Sequence, residues 1–372
     1  MHRMLEVASR GLALSALAGA AYLAVALVRV KVFSRRRSDK AAPALGISLL
    51  KPLHGLEEGL EENLASFCAQ DHPAFQVIFC AVDQDDPALK VARRVIERFP
   101  TVDATVVVGP ASNVANPKIA NVLNGYARAR YGIVAIADAD MRVDPQYLRS
   151  VAAAFDAADV GAVTCLYGGV ASNGAASELA AMFVNDHFAP SVLVAQSIEP
   201  LTYCFGSTMA ARKSVVDELG GLAALGTTIA DDYALGALTT KAGYRVVLAP
   251  YVVANVMSDA TLGALWEREL RWARTIRAVR PLGSTLAVIT YPLPLAFLAW
   301  TLRPRSGRRM LLLAVTAILR LALHGASRTA FAPSMPLRPH LIPVRDGLAL
   351  AVWAVSRLGN NARWHGHDIA VN

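Results

Sequence analysis

The stretch Gly132-Ile133-Val134-Ala135-Ile136-Ala137-Asp138-Ala139-Asp140-Met141-Arg142-Val143 contains five apolar residues in a row, followed by two carboxylates one residue apart. An apolar run with Ile and Val predicts a strand that is buried on both faces. The carboxylates then lie at its carboxyl end, where ligands bind in open α/β sheets. Because alternate residues of an extended chain point the same way, we expect Asp138 and Asp140 to face one point. A polar turn that closes a strand is the alternative, since Asp is common in turns.

This pair of carboxylates also predicts a metal. Two carboxylates that face one point repel each other unless a cation lies between them. Hard divalent cations prefer oxygen ligands, so we expect Mg²⁺ or Mn²⁺ with Asp140 and Asp138 as candidate ligands. The usual partner of such a metal is a substrate diphosphate.

The preceding sequence alternates between strand and helix patterns. This alternation predicts a parallel sheet with right-handed crossovers. Asp83 and Asp138 then follow strands that end at the same edge of the sheet. Neither the Gly-x-Gly-x-x-Gly loop of a dinucleotide-binding fold nor a P-loop follows the first strand, so phosphates must be held by a metal and side chains. The predicted strands are 47–50, 77–82, 104–108 and 133–137, and the predicted helices are 56–69, 87–98 and 117–130.

Two features of the second half carry further candidate chemistry. Asp231 and Asp232 open a predicted helix that runs to Lys241, where simple helix capping is the alternative role. A second predicted helix, 264–280, has arginines at every third position, which form a wide basic band around it. Such a band suits anionic headgroups or a leaving diphosphate, and a salt-bridged surface helix is the alternative.

Composition and hydropathy indicate a membrane protein. The chain of 372 residues has a net charge of +8 and a mean hydropathy of +0.37. Residues 11–28 are uncharged, which is close to the roughly 20 residues that a spanning helix needs. Several basic residues follow at once, from Arg29 to Lys40, and the positive-inside rule then puts the downstream chain in the cytoplasm. The four cysteines have no regular spacing and predict buried thiols in a reducing compartment.

The C-terminal quarter is apolar again, but its topology stays open at this stage. Residues 282–302 are uncharged and long enough to span, with Pro292 and Pro294 in the middle. A full crossing would put the following arginines outside, against the positive-inside rule, whereas a re-entrant hairpin broken at the prolines would keep them inside. Residues 310–323 contain Arg320, and 347–355 are too short to cross alone. We therefore predict a membrane anchor and basic linker at 1–43, a catalytic domain at 44–260 and an interfacial and membrane region at 261–372.

The ordered set of motifs resembles that of family 2 glycosyltransferases with the GT-A fold. It consists of Asp83, Asp138-x-Asp140, Asp232 and Arg268-x-x-Arg271-Trp272. Further stretches resemble the ceramide glucosyltransferase branch, and some are most similar to bacterial hopanoid-biosynthesis glycosyltransferases. The branch motifs are Ser48-Leu49-Leu50-Lys51-Pro52-Leu53, Asn116-Pro117-Lys118-Ile119 and Asp231-Asp232-Tyr233, and the hopanoid-like ones are Thr164-Cys165-Leu166-Tyr167, Asn185-Asp186-His187-Phe188 and Leu270-Arg271-Trp272-Ala273-Arg274.

The resemblance implies an α/β GT-A fold with a mainly parallel sheet, plus N- and C-terminal membrane helices. It also implies inverting, metal-dependent transfer of glucose or N-acetylglucosamine from a UDP-sugar to a lipid, with a hopanoid acceptor first and ceramide as the alternative. By the same resemblance Asp232 is the general base, and Asp140 holds the metal. Arg268 stands where polymer-making synthases have Gln, which fits the lipid-acceptor branch. The remaining implied roles are uracil contact for Asp83, nucleotide contact for Lys118, ribose contact for Asp138, substrate binding for Asp231 and His187, and diphosphate and acceptor contact for Arg268, Arg271 and Trp272.

Two other functional classes compete with this interpretation. A non-catalytic protein that binds a nucleotide sugar or a lipid would be favoured by a missing carboxylate, and none is missing. A nucleotidyltransferase would require a glycine-rich loop after the first strand, which the sequence lacks. The expected partners are a UDP-sugar, a lipid acceptor and the membrane, which is the bacterial inner membrane for a hopanoid acceptor. No nucleic acid is expected.

Overall fold

The computed structural model describes residues 2–36, 45–110, 112–228, 230–359, 361–364 and 367–370. The predicted boundary at 43–44 lies outside these residues. The chain forms two compact units. The sheet unit comprises Arg36–Gly168 and Glu199–Val256, and the helical unit comprises Met1–Arg35, Gly169–Ile198 and Met257–Asn372. The helical unit thus takes in a segment, Gly169–Ile198, from the middle of the predicted catalytic domain.

The strands form one eight-stranded sheet and one two-stranded sheet in the described part of the chain. The large sheet has the order β3-β2-β1-β4-β7-β6-β8-β5. The strands are β1 Ile47–Pro52, β2 Phe75–Ala81, β3 Ala104–Val108, β4 Ile133–Ile136, β5 Met141–Arg142, β6 Val160–Ala171, β7 Met209–Arg212, β8 Arg245–Met257, β9 Asn361–Trp364 and β10 His367–Ala370.

The four strands predicted from the sequence are present and pair in parallel. β1 lies between β2 and β4, with Leu49 opposite both Val77 and Ala135, and β3 pairs with β2. Most of their residues are apolar on both faces, as is typical of parallel strands, and Ser48, Lys51 and Gln76 are buried polar exceptions. The other half of the sheet is antiparallel, with β7 next to β4 and β5 next to β8. The sheet is therefore mixed, and parallel pairing is found in the half that precedes the Asp138–Asp140 turn.

The α-helices cover the sheet in one unit and pack on each other in the other. In chain order they are α1 His2–Ser34, α2 Leu60–Cys68, α3 Ala88–Arg98, α4 Pro117–Tyr126, α5 Tyr147–Ala154, α6 Gly174–Phe183, α7 Ala189–Ala195, α8 Lys213–Glu218, α9 Asp231–Lys241, α10 Leu262–Val279, α11 Pro281–Leu286, α12 Pro292–Thr301, α13 Gly307–Phe331 and α14 Ile342–Val355. A π-helix, Val184–Phe188, joins α6 to α7.

Helix boundaries follow local chemistry. α2 begins four residues later than predicted because Gly55 and Gly59 adopt left-handed backbone angles in the loop before it. The side chain of Asp86 accepts a hydrogen bond from Ala88 N, so it supports the start of α3 as predicted. Asn116 caps α4 by accepting from Lys118 N and Ile119 N. These caps fix the start of each helix at the carboxyl edge of the parallel strands.

One apolar cluster in the core of the sheet unit contains residues of β1, β2 and β4 together with α2, α3 and α5. Phe67 and Tyr147 pack edge to face in it, with ring centroids 5.6 Å apart. All four cysteines are buried and free, which confirms the prediction of buried thiols.

In the helical unit, α1 packs against α12 and α13. At one end, Ser9 Oγ donates to Ala299 O and Arg303 pairs with Glu6 at 3.1 Å. At the other end, the rings of Phe33 and Phe331 lie 6.3 Å apart. α1 and α13 therefore run in the same direction, with α12 antiparallel to both.

Two helices in the described residues are long and apolar enough to cross a membrane, α1 and α13. The predicted segment 11–28 lies inside the first. The predicted segment 282–302 is a broken pair of helices, bent by 60° between Pro281–Thr290 and Pro292–Thr301, which counts as a third span if the pair crosses as one. The break coincides with Pro292, which cannot donate a helical hydrogen bond. Gly19 of α1 passes close to this break, because a Cβ there would lie 2.4 Å from Ile289 O.

Candidate active site

The two carboxylates of the Asp-x-Asp pair lie in a turn and not on an extended strand. β4 ends at Ile136, and Met141 N donates to Asp138 O across the turn at 3.3 Å before β5 begins. The expectation that strand alternation directs both side chains at one point is therefore wrong, because the extended conformation ends before Asp138. The turn suggested as the alternative is the observed conformation. It leaves each carboxylate with its own set of partners.

Lys118 joins the first of these carboxylates to α9. Its Nζ lies 2.7 Å from Asp138 Oδ1 and 3.0 Å from Asp231 Oδ2. Asp231 is buried at the start of α9, and Asn116 Nδ2 lies 3.4 Å from its Oδ1. The charges of Asp138 and Asp231 raise the pKa of Lys118 against the opposing effect of burial, so its ammonium remains charged. The structure thus brings together three of the predicted site residues.

Asp232 lies next to this ion pair. Gly206 N donates to Asp232 Oδ2 at 3.2 Å and Tyr233 N donates to Oδ1 at 2.8 Å. Gly206 also approaches Asp138 so closely that a Cβ at this position would lie 2.6 Å from Asp138 Oδ2. Burial and the neighbouring Asp231 raise the pKa of Asp232 to about 6, and Lys118 opposes this shift. A carboxylate with this pKa can take a proton near neutral pH, as a general base must.

Asp140 has separate partners on the other side of the turn. Its Oδ2 accepts from Asn255 Nδ2 at 2.9 Å, and its main-chain O accepts from Val256 N at 2.9 Å. Both partners belong to β8, so that strand fixes the rotation of the carboxylate. Glu57, in the loop after β1, also interacts with the negative charge of Asp140. Partial desolvation and the charge of Asp140 raise the pKa of Glu57, although the residue as a whole is exposed.

The donor set fits a divalent metal that is completed by substrate. In the described residues, no three or more His, Cys, Asp and Glu side chains form a preassembled metal cage. Mg²⁺ is usually held by one or two carboxylates together with substrate phosphates, so a single anchored carboxylate is sufficient. Asp140 meets this requirement, whereas Asp138 is already paired with Lys118. The local charge also requires a cation, because a dianionic diphosphate would otherwise meet five carboxylates and two ammonium groups. These groups are Asp138, Asp140, Asp231, Asp232, Glu57, Lys51 and Lys118.

Asp83 lies apart from this cluster. It follows β2 at the carboxyl edge of the parallel strands, where the sequence placed it. Its side chain is exposed, and Oδ1 accepts from Asp85 N at 2.9 Å in its own loop. The structure therefore leaves it accessible to a ligand at this edge.

Arg268, Arg271 and Trp272 belong to α10 in the helical unit. Arg268 pairs with Asp259 at 2.5 Å and lies over the ring of Trp272, 5.0 Å from its centroid. Burial and the nearby Arg268 lower the pKa of Arg271, so this guanidinium gains most from an added anion. The predicted basic helix is present, and its first two arginines are half-buried and not free on the surface.

His187 lies in the π-helix and is buried in the helical unit. Its Nε2 is 3.0 Å from Asp346 Oδ1, and its ring stacks on Phe183 at 5.9 Å. Phe183 in turn lies 6.4 Å from Trp272. Arg320 of α13 bridges Asp346 and Asp186, at 2.9 and 3.0 Å. His187 is thus one member of a buried charge cluster.

A model of known protein families matches residues 11–372, and its description is Glycosyl transferase family 21. The chain belongs to glycosyl transferase family 21. This result agrees with the ceramide glucosyltransferase branch that the motifs indicated. It carries no information on a hopanoid acceptor.

Named relatives of this family 21 chain include "Ceramide glucosyltransferase 1" of Caenorhabditis elegans, which is 25% identical over 279 residues. The match covers 73% of this chain and 60% of that protein, so the chain spans about three fifths of the relative's length. "Ceramide glucosyltransferase" of Komagataella phaffii is 34% identical over 116 residues, which are 30% of this chain and 23% of that protein.

Among solved structures, the mannosyltransferase PcManGT from Pyrobaculum calidifontis, in complex with GDP-Man and Mn²⁺, matches with a TM-score of 0.53 and 18% identity. The match covers 93% of this chain and 99% of that one. At this identity the likeness concerns the fold alone, and it supports the GT-A prediction for the family 21 chain.

Several residues around the site had no role assigned from the sequence. Lys51 and Asn255 touch the Asp138–Asp140 turn from β1 and β8. Arg320 and Asp346 build the cluster around His187. An arginine inside an apolar helix was the one visible signal for the second pair, since intramembrane charges are rare and mark function. In the first pair, Lys51 lies in the Ser48–Leu53 branch motif, whereas Asn255 gave no signal, and neither contact could be predicted because both depend on strand order.

Proposed function

We propose that this family 21 chain transfers a hexose from a UDP-sugar to the hydroxyl of a membrane lipid of the ceramide class, with inversion at the sugar carbon. The observation that carries the proposal is Asp232, a half-buried carboxylate with a raised pKa beside the Lys118–Asp138 ion pair. Family membership and the names of the relatives support it. The motifs favoured a hopanoid acceptor, but the named relatives favour ceramide, and the proposal follows them.

The proposed reaction is a single displacement. The acceptor hydroxyl attacks C1 of the sugar, and the bond from C1 to the diphosphate oxygen breaks on the opposite face. Asp232 takes the hydroxyl proton, and UDP leaves with the bonding electrons. Because the attack and the departure occur in one step, no covalent enzyme nucleophile is needed and the configuration inverts. General base catalysis of this kind contributes about 10²–10⁴-fold, and positioning of the two substrates supplies much of the rest.

The sheet unit would hold the donor. We assign Asp83 to the uracil ring, Asp138 to the ribose and Lys118 to the nucleotide side of the pocket. Asp231 would hold Lys118 in place through their 3.0 Å contact. Asp140 would hold Mg²⁺ or Mn²⁺, which would neutralise charge that develops on the leaving diphosphate.

By the resemblance of the Arg268-x-x-Arg271-Trp272 motif, α10 is assigned to the acceptor and the leaving group. Arg271 is half-buried, and burial lowers the pKa of its guanidinium, so a bound diphosphate would offset the cost of burying this charge. Trp272 and Arg268 would line the acceptor side. His187 would act in the same region through its contact with Phe183, which separates it from Trp272.

A lipid acceptor requires a membrane-bound enzyme, and the apolar helices α1 and α13 would provide the anchor. We place the sheet unit on the cytoplasmic side, because the basic residues after α1 follow the positive-inside rule. A UDP-sugar is then available in the same compartment as the active site.

The test is a transfer assay with the full-length protein in membranes or nanodiscs. Labelled UDP-glucose or UDP-N-acetylglucosamine is offered with ceramide or with bacteriohopanetetrol, and products are identified by mass. We expect labelled glycosylceramide that requires added Mg²⁺ or Mn²⁺. Label on the hopanoid alone would overturn the assignment of ceramide as the acceptor but would still support hexose transfer from a UDP-sugar to a lipid hydroxyl. No transfer to either lipid, with intact protein and no UDP binding, would overturn the enzymatic proposal.

A further inference from the structure

Lys51 is a buried cation that the proposed mechanism does not use. Its side chain is 0% exposed in β1. Its ammonium lies 3.7 Å from the centroid of the Phe67 ring and donates to Asp138 O at 2.5 Å. It forms no ion pair with any carboxylate in the part of the chain that the structure describes. Placing this ammonium in the core costs free energy, which its hydrogen bond, the Phe67 ring and the nearby carboxylates offset.

The bond from Lys51 is one of three that the main-chain carbonyls of Asp138, Ala139 and Asp140 accept from β1, α2 and β8 in the described residues. Successive carbonyls of the turn each accept a hydrogen bond from a different element of the sheet unit. Asp138 O accepts from Lys51 of β1 at 2.5 Å, Ala139 O from Asn63 of α2 at 3.3 Å, and Asp140 O from Val256 of β8 at 2.9 Å. Lys51 makes the shortest of the three bonds, and it is the only charged donor.

We propose that Lys51 is a positioning residue of the diphosphate–metal site: its ammonium holds the Asp138 carbonyl and thereby fixes the turn that directs Asp138 and Asp140. The inference rests on the proposed function, since it gives this turn the task of binding a UDP-sugar with a metal. Charge adds a second reason for a lysine here. The carboxylates of Asp138, Asp140 and Glu57 all interact with its ammonium, so it partly offsets their mutual repulsion before a metal arrives.

A neutral, apolar side chain of similar length would fill the same space without donating a hydrogen bond to Asp138 O and without carrying a positive charge. Lys51→Met keeps the unbranched shape and removes the donor and the charge. Lys90→Met is the matched control, because Lys90 is an exposed lysine of α3 in the same unit. Lys51→Arg restores a charged donor and should recover part of the lost binding.

The first readout is binding by the full-length protein in nanodiscs, with uridine, UDP alone and UDP with Mn²⁺ as probes. We expect Lys51→Met to weaken UDP–Mn²⁺ binding by about 10- to 100-fold, as removal of a residue that orients a metal ligand typically does. Uridine binding should fall less than UDP–Mn²⁺ binding, because the turn contributes only the ribose contact of Asp138 to uridine, whereas the diphosphate and the metal also depend on Asp140. Lys90→Met should match the wild type with every probe.

The second readout needs neither metal nor substrate. Met141 N donates to the same carbonyl that Lys51 holds. Amide hydrogen exchange of the segment around 138–142 should therefore be faster in metal-free Lys51→Met than in the wild type or in Lys90→Met. Exchange in the remainder of β1 and β4 should be unchanged.

These readouts separate the possible outcomes. Unchanged UDP–Mn²⁺ affinity in Lys51→Met would overturn the inference, and so would an equal loss of uridine and UDP–Mn²⁺ binding, which indicates a role in folding alone. A wild-type protein that binds no UDP with any divalent metal would instead overturn the proposed function, and the inference would fall with it.

Discussion

Lys118 and Asp138 form an ion pair of 2.7 Å at the carboxyl edge of the parallel strands. The same ammonium reaches Asp231 at the start of α9, so one cation joins two segments that are 93 residues apart in the sequence (231 − 138). The side chains of Lys118 and Asp231 are 17% and 9% exposed, and water therefore screens their attraction only weakly. This contact ties the start of the Asp-x-Asp turn to the helix that carries the candidate base.

Lys118→Met should therefore affect both stability and nucleotide binding. It leaves Asp138 and Asp231 close together without their shared counter-charge. We expect a loss of roughly 1–3 kcal/mol in the free energy of unfolding, since an unpaired buried polar group costs about this much. UDP affinity should fall in the same variant. Denaturant titration and UDP binding test this, with Lys118→Arg as the charge-retaining control. Wild-type stability in Lys118→Met would show that the ion pair is not needed.

Asp232→Asn should abolish transfer and leave UDP-sugar binding intact. The amide keeps the size of the side chain and can still accept from Gly206 N, but it cannot take a proton. We expect kcat to fall by about 10²–10⁴-fold, with little change in donor affinity. Single-turnover assays with measured UDP-sugar binding would check both. Retained turnover would remove Asp232 from the role of base.

The pH profile of the wild type provides an independent check on this residue. The base is competent when it is deprotonated, and the pKa of Asp232 is raised to about 6. The transfer rate should therefore be near its plateau above pH 7 and fall as the pH drops through 6, by about tenfold per unit below the pKa. A rate that stays constant down to pH 5 would contradict the assignment, provided that the protein remains folded there by circular dichroism.

Asp140→Asn should remove the metal dependence of UDP binding. Asn255 can still hold the oxygen of the new amide, so the turn is kept while the negative charge is lost. We expect UDP affinity with Mn²⁺ to drop to its value without metal, a loss of at least about tenfold. Asp138→Asn, in contrast, breaks the pair with Lys118 and should weaken UDP binding with and without Mn²⁺. If Asp140→Asn retained the full effect of Mn²⁺, the metal would have to be held elsewhere.

The buried cluster of the helical unit predicts a strong effect on stability. Arg320 is 1% exposed and bridges Asp186 and Asp346, which are also buried. Arg320→Met leaves two carboxylates in the protein interior without their shared cation. Breaking a buried pair in this way costs about 3–5 kcal/mol, so thermal unfolding in detergent should shift strongly downward. Arg308→Met is the matched control, because Arg308 is exposed on the same helix. Equal melting temperatures of the two variants would contradict this.

The sequence predicted the parallel half of the sheet closely because its strands are short apolar runs between helices. β3 has the predicted bounds, and β1, β2 and β4 differ from them by one or two residues. The antiparallel half was not predicted: β7 is the four residues Met-Ala-Ala-Arg, which have no strand period. The sequence predicted which residues belong to the site but not which of them contact each other. The Lys118–Asp231 contact, for example, depends on how α4 and α9 pack. The Asp-x-Asp turn was predicted only as the alternative, because one residue at the end of a strand decides between extended and turn conformations.

The contacts at the amino end of α1 favour one of the two topologies that the sequence left open. Glu6 pairs with Arg303, and Arg309 Nε donates to Ser9 Oγ, so the connection between α12 and α13 lies beside the start of α1. With α1 as a span, we expect the broken pair α11–α12 to cross as well, and Glu6 then offsets one of the arginines that the positive-inside rule disfavours on that side. We therefore predict three spans, with Arg305 on the opposite side from Arg36.

Cysteine labelling tests this topology. The four native cysteines are buried, so an impermeant maleimide should label them little. Arg305→Cys and Arg36→Cys place single reactive thiols at exposed positions on either side. In sealed vesicles of one orientation, the reagent should label one of the two variants before permeabilisation and the other only afterwards. Labelling of both from the same side would mean that α11–α12 is a re-entrant hairpin and that the arginines after it stay with the sheet unit.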